Sequence, residues 1–176
     1  RSSDLKSVTM QSFIPLVLDG DKRPERLDSF GSRDRRMEYY LLGDSETGHM
    51  DRTGYLWIEF YHEGKQLYKT IGIALRARRG AAQMIFWGFL LEDGRRINQD
   101  IYLYDYPNWL ETKKKVPLTR KALTEVIGAG GTVVQEQAAY RDLVRKNIFG
   151  FKDNNDSYRD LLKLLLEIRS PKLSKE

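Results

Sequence analysis

Residues 54–61 read GYLWIEFY, a run whose hydrophobic period is two, the spacing of a β-strand. His62-Glu-Gly-Lys65 follows with turn chemistry, and Gln66–Arg78 reads as the return strand. Gln83–Glu92 predicts a third strand, rich in aromatic residues. Asp93-Gly94 then predicts a tight turn into a fourth over Arg95–Tyr104. The expectation over 54–104 is therefore a four-stranded antiparallel meander.

On both sides of this meander the period becomes helical. In 7–18, SVTMQSFIPLVL, Met10, Phe13, Ile14 and Val17 recur at i, i+3, i+4 and i+7, which predicts a helix with one apolar face. Pro15 disturbs its last turn and Asp19-Gly20-Asp21 closes it. An arginine-dense connector (21–36), a short helix over Met37–Leu42 and a loop over Asp44–Thr53 lead to the first strand. After the meander, Pro117-Leu118-Thr119 caps a helix that runs to Ile127 and ends at Gly128-Ala-Gly-Gly131. A second helix spans about Gln135–Ile148, with Ala138, Leu143 and Val144 facing the core. A third begins near Asn155 or Asp156 and carries Leu161, Leu162, Leu164, Leu165 and Ile168. The segment 117–170 thus reads as a small helical subdomain, and no internal repeat is present.

Composition narrows the function classes. With 176 residues the chain is long enough for one domain with a core. A formal charge of +5 permits a nucleic-acid or phosphate partner without requiring one. The absence of cysteine excludes disulfides, thiolate zinc sites and cysteine nucleophiles, and fits a cytoplasmic protein. His49 and His62 stand isolated, which argues against a histidine metal site or a catalytic triad. No apolar run approaches the ~18 residues of a membrane span. The chain opens on Arg1 and closes on Pro171-Lys-Leu-Ser-Lys-Glu176, so both ends read as cuts through a longer protein.

Three groups of residues bear on chemistry. Lys6-Ser7 at the mouth of an apolar helix has the form of the end of a phosphate-binding loop, with the lysine on the phosphates and the hydroxyl on magnesium. Taken alone, Lys-Ser before a helix is common and most often only structural. Arginines cluster at Arg33, Arg35 and Arg36, at Arg76, Arg78 and Arg79, and at Arg95-Arg96. Strand alternation puts Arg76 and Arg78 on one face, which suits contact with a phosphate backbone. The plainer reading is a solvated face with local acids such as Asp34, Glu38 and Asp93. Tyr55, Trp57, Tyr61, Phe86, Trp87, Phe89, Tyr102 and Tyr104 are read as core rather than as a base-stacking platform. Lys113-Lys114-Lys115 is read as a solvated loop.

Six strings, in order, carry a resemblance: KSVTMQSFIPLVLDGDKRPERLDSFGSRDRRMEYYLLG, RTGYLWIEF, TIGIALRARRG, WGFLLEDGRRI, PLTRKAL and LLLEIRSPKLSK. Together they resemble the SMC-like ATPases of bacterial Wadjet-type plasmid-defence operons, relatives of the MukB/condensin group. The resemblance covers nearly the whole chain from Lys6 onward. It implies the N-terminal lobe of an ABC-type head, an α/β fold in which an antiparallel meander packs on a P-loop helix. It also implies ATP and Mg2+ as cofactors. The implied partners are DNA, the C-terminal head lobe of the same protein, a second head in a homodimer, and the other subunits of the complex. Lys6 and Ser7 then take the phosphate-lysine and magnesium-hydroxyl positions, and Glu167 stands where relatives carry a γ-phosphate-sensing glutamine. The glycines that the family places before the lysine are Ser3-Asp4-Leu5 here. A phosphate loop needs glycine so that its backbone can wrap the anion without a Cβ in the way.

The resulting expectation is one partial head domain over 1–176, with DNA guided by Arg76, Arg78, Arg79, Arg33, Arg35 and Arg36. Its catalytic residues lie elsewhere, and the lobe alone is inactive. Two other readings stay open: a freestanding basic β-rich module that binds nucleic acid without nucleotide, and a structural fragment kept for assembly. The altered loop makes a direct prediction. Calorimetric titration of the isolated chain with ATP and magnesium is expected to show no tight binding, and tight binding would disprove the view of an incomplete loop.

Overall fold

Two hairpins set the frame. In the computed structural model, which describes residues 16–20, 42, 48–62 and 64–149, β1 (Asp51–His62) pairs with β2 (Leu67–Arg78), and β2 pairs with β3 (Ile85–Leu91). The strands match the periodicity closely. β1 starts inside the expected loop, because Asp51, Arg52 and Thr53 pair with Arg78, Ala77 and Arg76. Gln66 takes a left-handed conformation in the first turn.

The fourth strand is not Arg95–Tyr104. The partner of β3 is β4 (Gly131–Val134), antiparallel and in register from Gly88↔Val134 to Leu91↔Gly131, so the sheet order is β1-β2-β3-β4. Asp93-Gly94 does turn the chain, but the following backbone groups bond locally. The Arg96 carbonyl accepts from the amides of Asp100 and Ile101, and the Asn98 amide donates to the Ile101 carbonyl. A segment that satisfies its own backbone has little left for a ladder. Its apolar residues Ile97, Ile101 and Leu103 are buried against the sheet instead.

The sheet is covered on both faces, which explains the nearly unbroken apolar runs of β2 and β3. One face carries Ile71, Ile73, Leu75, Phe86 and Leu90, with Leu56, Ile58 and Phe60 of β1 beside them. Over it lie Leu16, Val17, Leu18, Leu42, Tyr140 and Val144. The other carries Ala74, Trp87, Phe89 and Leu91 under Ile97, Ile101, Leu103, Leu123 and Ile127. The fold is α/β around a four-strand antiparallel sheet.

Two helices lie in the link between β3 and β4, and a third follows β4. Helix α1 (Tyr106–Thr112) was missed in the sequence, although Asp105 caps it by accepting from the Asn108 amide and Pro107 sits in its first turn. Helix α2 (Arg120–Ile127) is capped as expected by Thr119, which accepts from the Ala122 amide, and it stops at Gly128. Helix α3 (Gln137–Val144) continues into a wider π-type turn over Arg145–Phe149. Helices α2 and α3 do not stand apart as a helical unit: β4 runs between them, and they pack on opposite faces of the sheet. The third predicted helix, and the helical stretch before residue 16, lie outside the described residues. No described helix is long and apolar enough to cross a membrane.

Helix α3 holds the 16–20 turn with one stripe of residues. Gln137 donates to the Asp19 carbonyl at 3.4 Å, the Tyr140 hydroxyl donates to the Val17 carbonyl, and Arg141 pairs with Asp19 at 2.7 Å. Positions i, i+3 and i+4 share a helix face, so all three arise from a single orientation. Val17 is buried as its periodicity implies, but so are Leu16, Leu18 and Asp19: the three apolar residues of this helical turn join the core cluster of the sheet and α3, and Asp19 pairs with Arg141. Ala138, expected in the core, is exposed, and Tyr140 occupies the core position instead.

The Tyr140 ring lies flat over Gly88 of β3, where an added Cβ would run into it. Gly88→Ala is therefore expected to destabilise the chain by about 1–3 kcal/mol, the usual cost of overpacking. In a Tyr140→Leu background most of that increment should vanish, and urea unfolding of the four members of the cycle measures the coupling.

Candidate functional site

On the α2 face the cover over the sheet stops short. The residues nearest the start of β1 and β3 lie in one cross-strand row, Thr53↔Arg76↔Ile85, and Ile85 at its end is 46% exposed among the described residues. The segment 115–121 forms the opposite wall, leaving an open cleft of about 930 Å3.

That wall is firmly tied. The Leu118 amide donates to the Leu103 carbonyl at 2.9 Å, and the Asp105 amide donates to the Val116 carbonyl at 2.8 Å. From the sheet, the Tyr55 hydroxyl donates to the Leu118 carbonyl at 2.7 Å while accepting from the Trp87 indole at 3.2 Å. Burial pushes the Tyr55 phenol up from the ordinary 10.0 to about 12, against a smaller opposing pull from the Trp87 hydrogen bond. The cleft thus has a preset shape before any ligand arrives.

Its charge is one-sided. Arg52, Arg76, Lys115, Arg120 and Lys121 border it, and Asp51 is the single acid among the described lining residues. Arg76 reaches Asp51 with two nitrogens, at 3.0 and 2.8 Å, and Arg78 approaches the same carboxylate at 3.4 Å. The Arg76 hydrogen bond is the largest influence holding the Asp51 carboxyl below its ordinary range. Arg52, Arg120 and Lys121 form no ion pair with any described residue. A surface of this kind attracts polyanions.

The expected arginines are only partly gathered here. Arg76 lines the cleft. Arg78 is exposed beside it, and Arg79 instead donates to the carbonyls of Leu42 and His49 as a loop clasp. The acid partner of Arg76 and Arg78 is Asp51, and Asp93 pairs with Arg95 at 2.6 Å as expected, while Asp34 and Glu38 lie outside the described residues. Arg95 also donates to the carbonyls of Val126 and Ile127 at the end of α2. Arg96 pairs with Glu59 at 2.8 Å. Arg33, Arg35, Arg36, Lys6, Ser7 and Glu167 lie outside the described residues. Among the described residues, no group of three or more His, Asp or Glu could hold a metal ion.

Sequence reasoning missed Arg52, Arg120 and Lys121, and it read Lys115 only as solvated loop. One signal was present. Directly after the Thr119 cap, Arg120 and Lys121 place two cations in the first turn of α2, against the helix dipole, where acids are the stabilising choice. The aromatic assignment also needs correction at two positions: Phe86, Trp87 and Phe89 are buried, but Trp57 and Tyr61 are 40% and 54% exposed. They stand on the β1 edge, where nothing described covers them.

The Tyr55 anchor is testable by its titration. Because its folded value lies above the unfolded one, its contribution to stability is complete below pH 10.0 and is lost as pH rises towards about 12. Tyrosinate absorbance should show a late-ionising phenol that disappears in Tyr55→Phe, and that variant should lose less stability than the parent across this interval.

No family model matches the chain, and neither does any curated protein or solved structure.

Proposed function

We propose that this chain is the N-terminal lobe of an SMC-like ATPase head and that its basic cleft carries the phosphate backbone of DNA. The cleft is the observation that supports this reading: five cations from three separate segments converge on one open trough with a single acid among its described lining residues. Arg52, Lys115, Arg120 and Lys121 would neutralise phosphates and release their counterions, a contact that fixes position without reading sequence. Arg76 is held in place by Asp51 and would present the remainder of its guanidinium. The ATP–Mg2+ part of the reading, through Lys6, Ser7 and Glu167, rests on the resemblance alone. The same is true of the partner head, the C-terminal lobe and the role in plasmid defence.

A second reading is supported by one feature of the cleft. Its cations come from β1, β2 and the 115–121 segment, and a basic module that binds nucleic acid without nucleotide would use the same surface. Dependence of DNA affinity on ATP in the assembled protein separates the two.

The cleft itself is tested by duplex-DNA anisotropy across a salt series. Arg52→Glu, Arg120→Glu and Lys121→Glu combined should weaken binding strongly and flatten the plot of log affinity against log salt by roughly 3 units, about 0.9 for each lost phosphate contact. Asp51→Asn should act in the opposite direction, because it frees Arg76 and Arg78 from their carboxylate. Unchanged affinity and slope in the triple variant would refute the assignment.

A further inference from the structure

Lys115 and Pro117 border a second, smaller hollow of about 220 Å3, where the lining changes from basic to aromatic. Tyr55, Trp57, Tyr104 and Pro117 form its walls, and Asn98 supplies an amide. Asn98 sits in the left-handed region, held in a turn by its amide bond to the Ile101 carbonyl. Trp57 is the exposed aromatic of this set, at 40%, and Asn98 and Lys115 are exposed beside it. Among the described residues the Trp57 indole N–H and the Asn98 side-chain amide have no acceptor, and both residues are exposed.

The surrounding rings are braced rather than loose. Tyr102 stacks on Tyr106 at 4.0 Å and 9°, Tyr106 lies 5.8 Å from Trp109, and Tyr104 meets Trp109 edge-on at 6.2 Å. Lys113 sits 4.6 Å above the Trp109 ring, and Lys115 sits 5.0 Å above Tyr104. Side chains already ordered lose little freedom when a ligand settles on them.

Rigid aromatic ridges, a proline, two open donors and one cation together make a specific chemical demand. A polyproline-type segment has no internal hydrogen bonds, so its carbonyls are free to accept from an indole and an amide, and its rings pack flat on aromatic faces. A nucleic-acid strand fits less well, because among the described residues one cation lines this hollow whereas five line the neighbouring cleft. We propose that the Tyr55–Trp57–Tyr104–Pro117 hollow binds an extended, proline-rich segment of a partner protein, with an acidic side chain of that segment on Lys115. The assignment goes beyond the head-lobe reading and stands without it, since Trp57 does not line the cleft.

The test titrates the chain with a synthetic proline-rich peptide bearing glutamate at every third position, the repeat that keeps the acids on one side of a polyproline helix. Nitrogen-edited NMR should show the Trp57 indole resonance moving on binding. Trp57→Ala, at an exposed position, should keep the fold and the affinity for duplex DNA but weaken the peptide by at least roughly tenfold. Lys115→Glu should weaken the glutamate peptide and spare its glutamine counterpart. The proposal is overturned if a Gly/Ser peptide with the same glutamates binds equally well, which would mean charge alone. It is also overturned if Trp57→Ala changes nothing, or if single-stranded DNA displaces the peptide from Trp57, which would mean base stacking.

Discussion

Tyr140 joins three parts of the chain that are far apart in sequence. Its ring rests on the bare backbone of Gly88 and meets Phe86 edge-on at 5.9 Å, and its hydroxyl satisfies the Val17 carbonyl deep in the core. A buried carbonyl left without a donor costs on the order of 1–3 kcal/mol, so the hydroxyl is as necessary as the ring. Because Gln137 and Arg141 lie on the same stripe of α3, seating this one ring also brings the partners of Asp19 into place. Leu16, Val17 and Leu18 can then be buried together, and one face of the sheet is closed.

The opposite face is organised by a second phenol. Tyr55 crosses from β1 to the Leu118 carbonyl and accepts from Trp87, so the 115–119 wall is drawn to the sheet at one fixed height. The cleft follows from that anchor and from the placement of α2, which buries Leu123 and Ile127 against the sheet. At the near end Arg120 and Lys121 are exposed, across the cleft from a row of strand residues that no described helix covers. The site is therefore not an insertion into the fold. It is the part of the sheet that no described helix roofs.

Two surfaces of different character meet at Lys115 and Pro117. The cleft is charged and open, and it suits a uniform polyanion whose contacts are interchangeable. The hollow is aromatic and smaller, with few donors, and it suits a ligand recognised by shape. Their shared border means that occupancy of one can alter the field at the other without any movement of the backbone.

What could be read from the sequence was what depends on near neighbours along the chain. The period of two over 54–61, the turns at 62–65 and 93–94, the Thr119 cap and the stop at Gly128 all reappear in the structure, because each is set by local backbone preference and capping. The Asp105 cap of α1 was equally legible and was overlooked. The identity of the fourth strand was decided by tertiary structure alone. Arg95–Tyr104 and Gly131–Val134 compete for the same edge of β3, and the winner is the segment that has not already satisfied its own backbone. The same holds for Asp51 as the arginines' partner and for the cleft itself, since register across strands and the reach of a helix are distances in space that no spacing along the chain records.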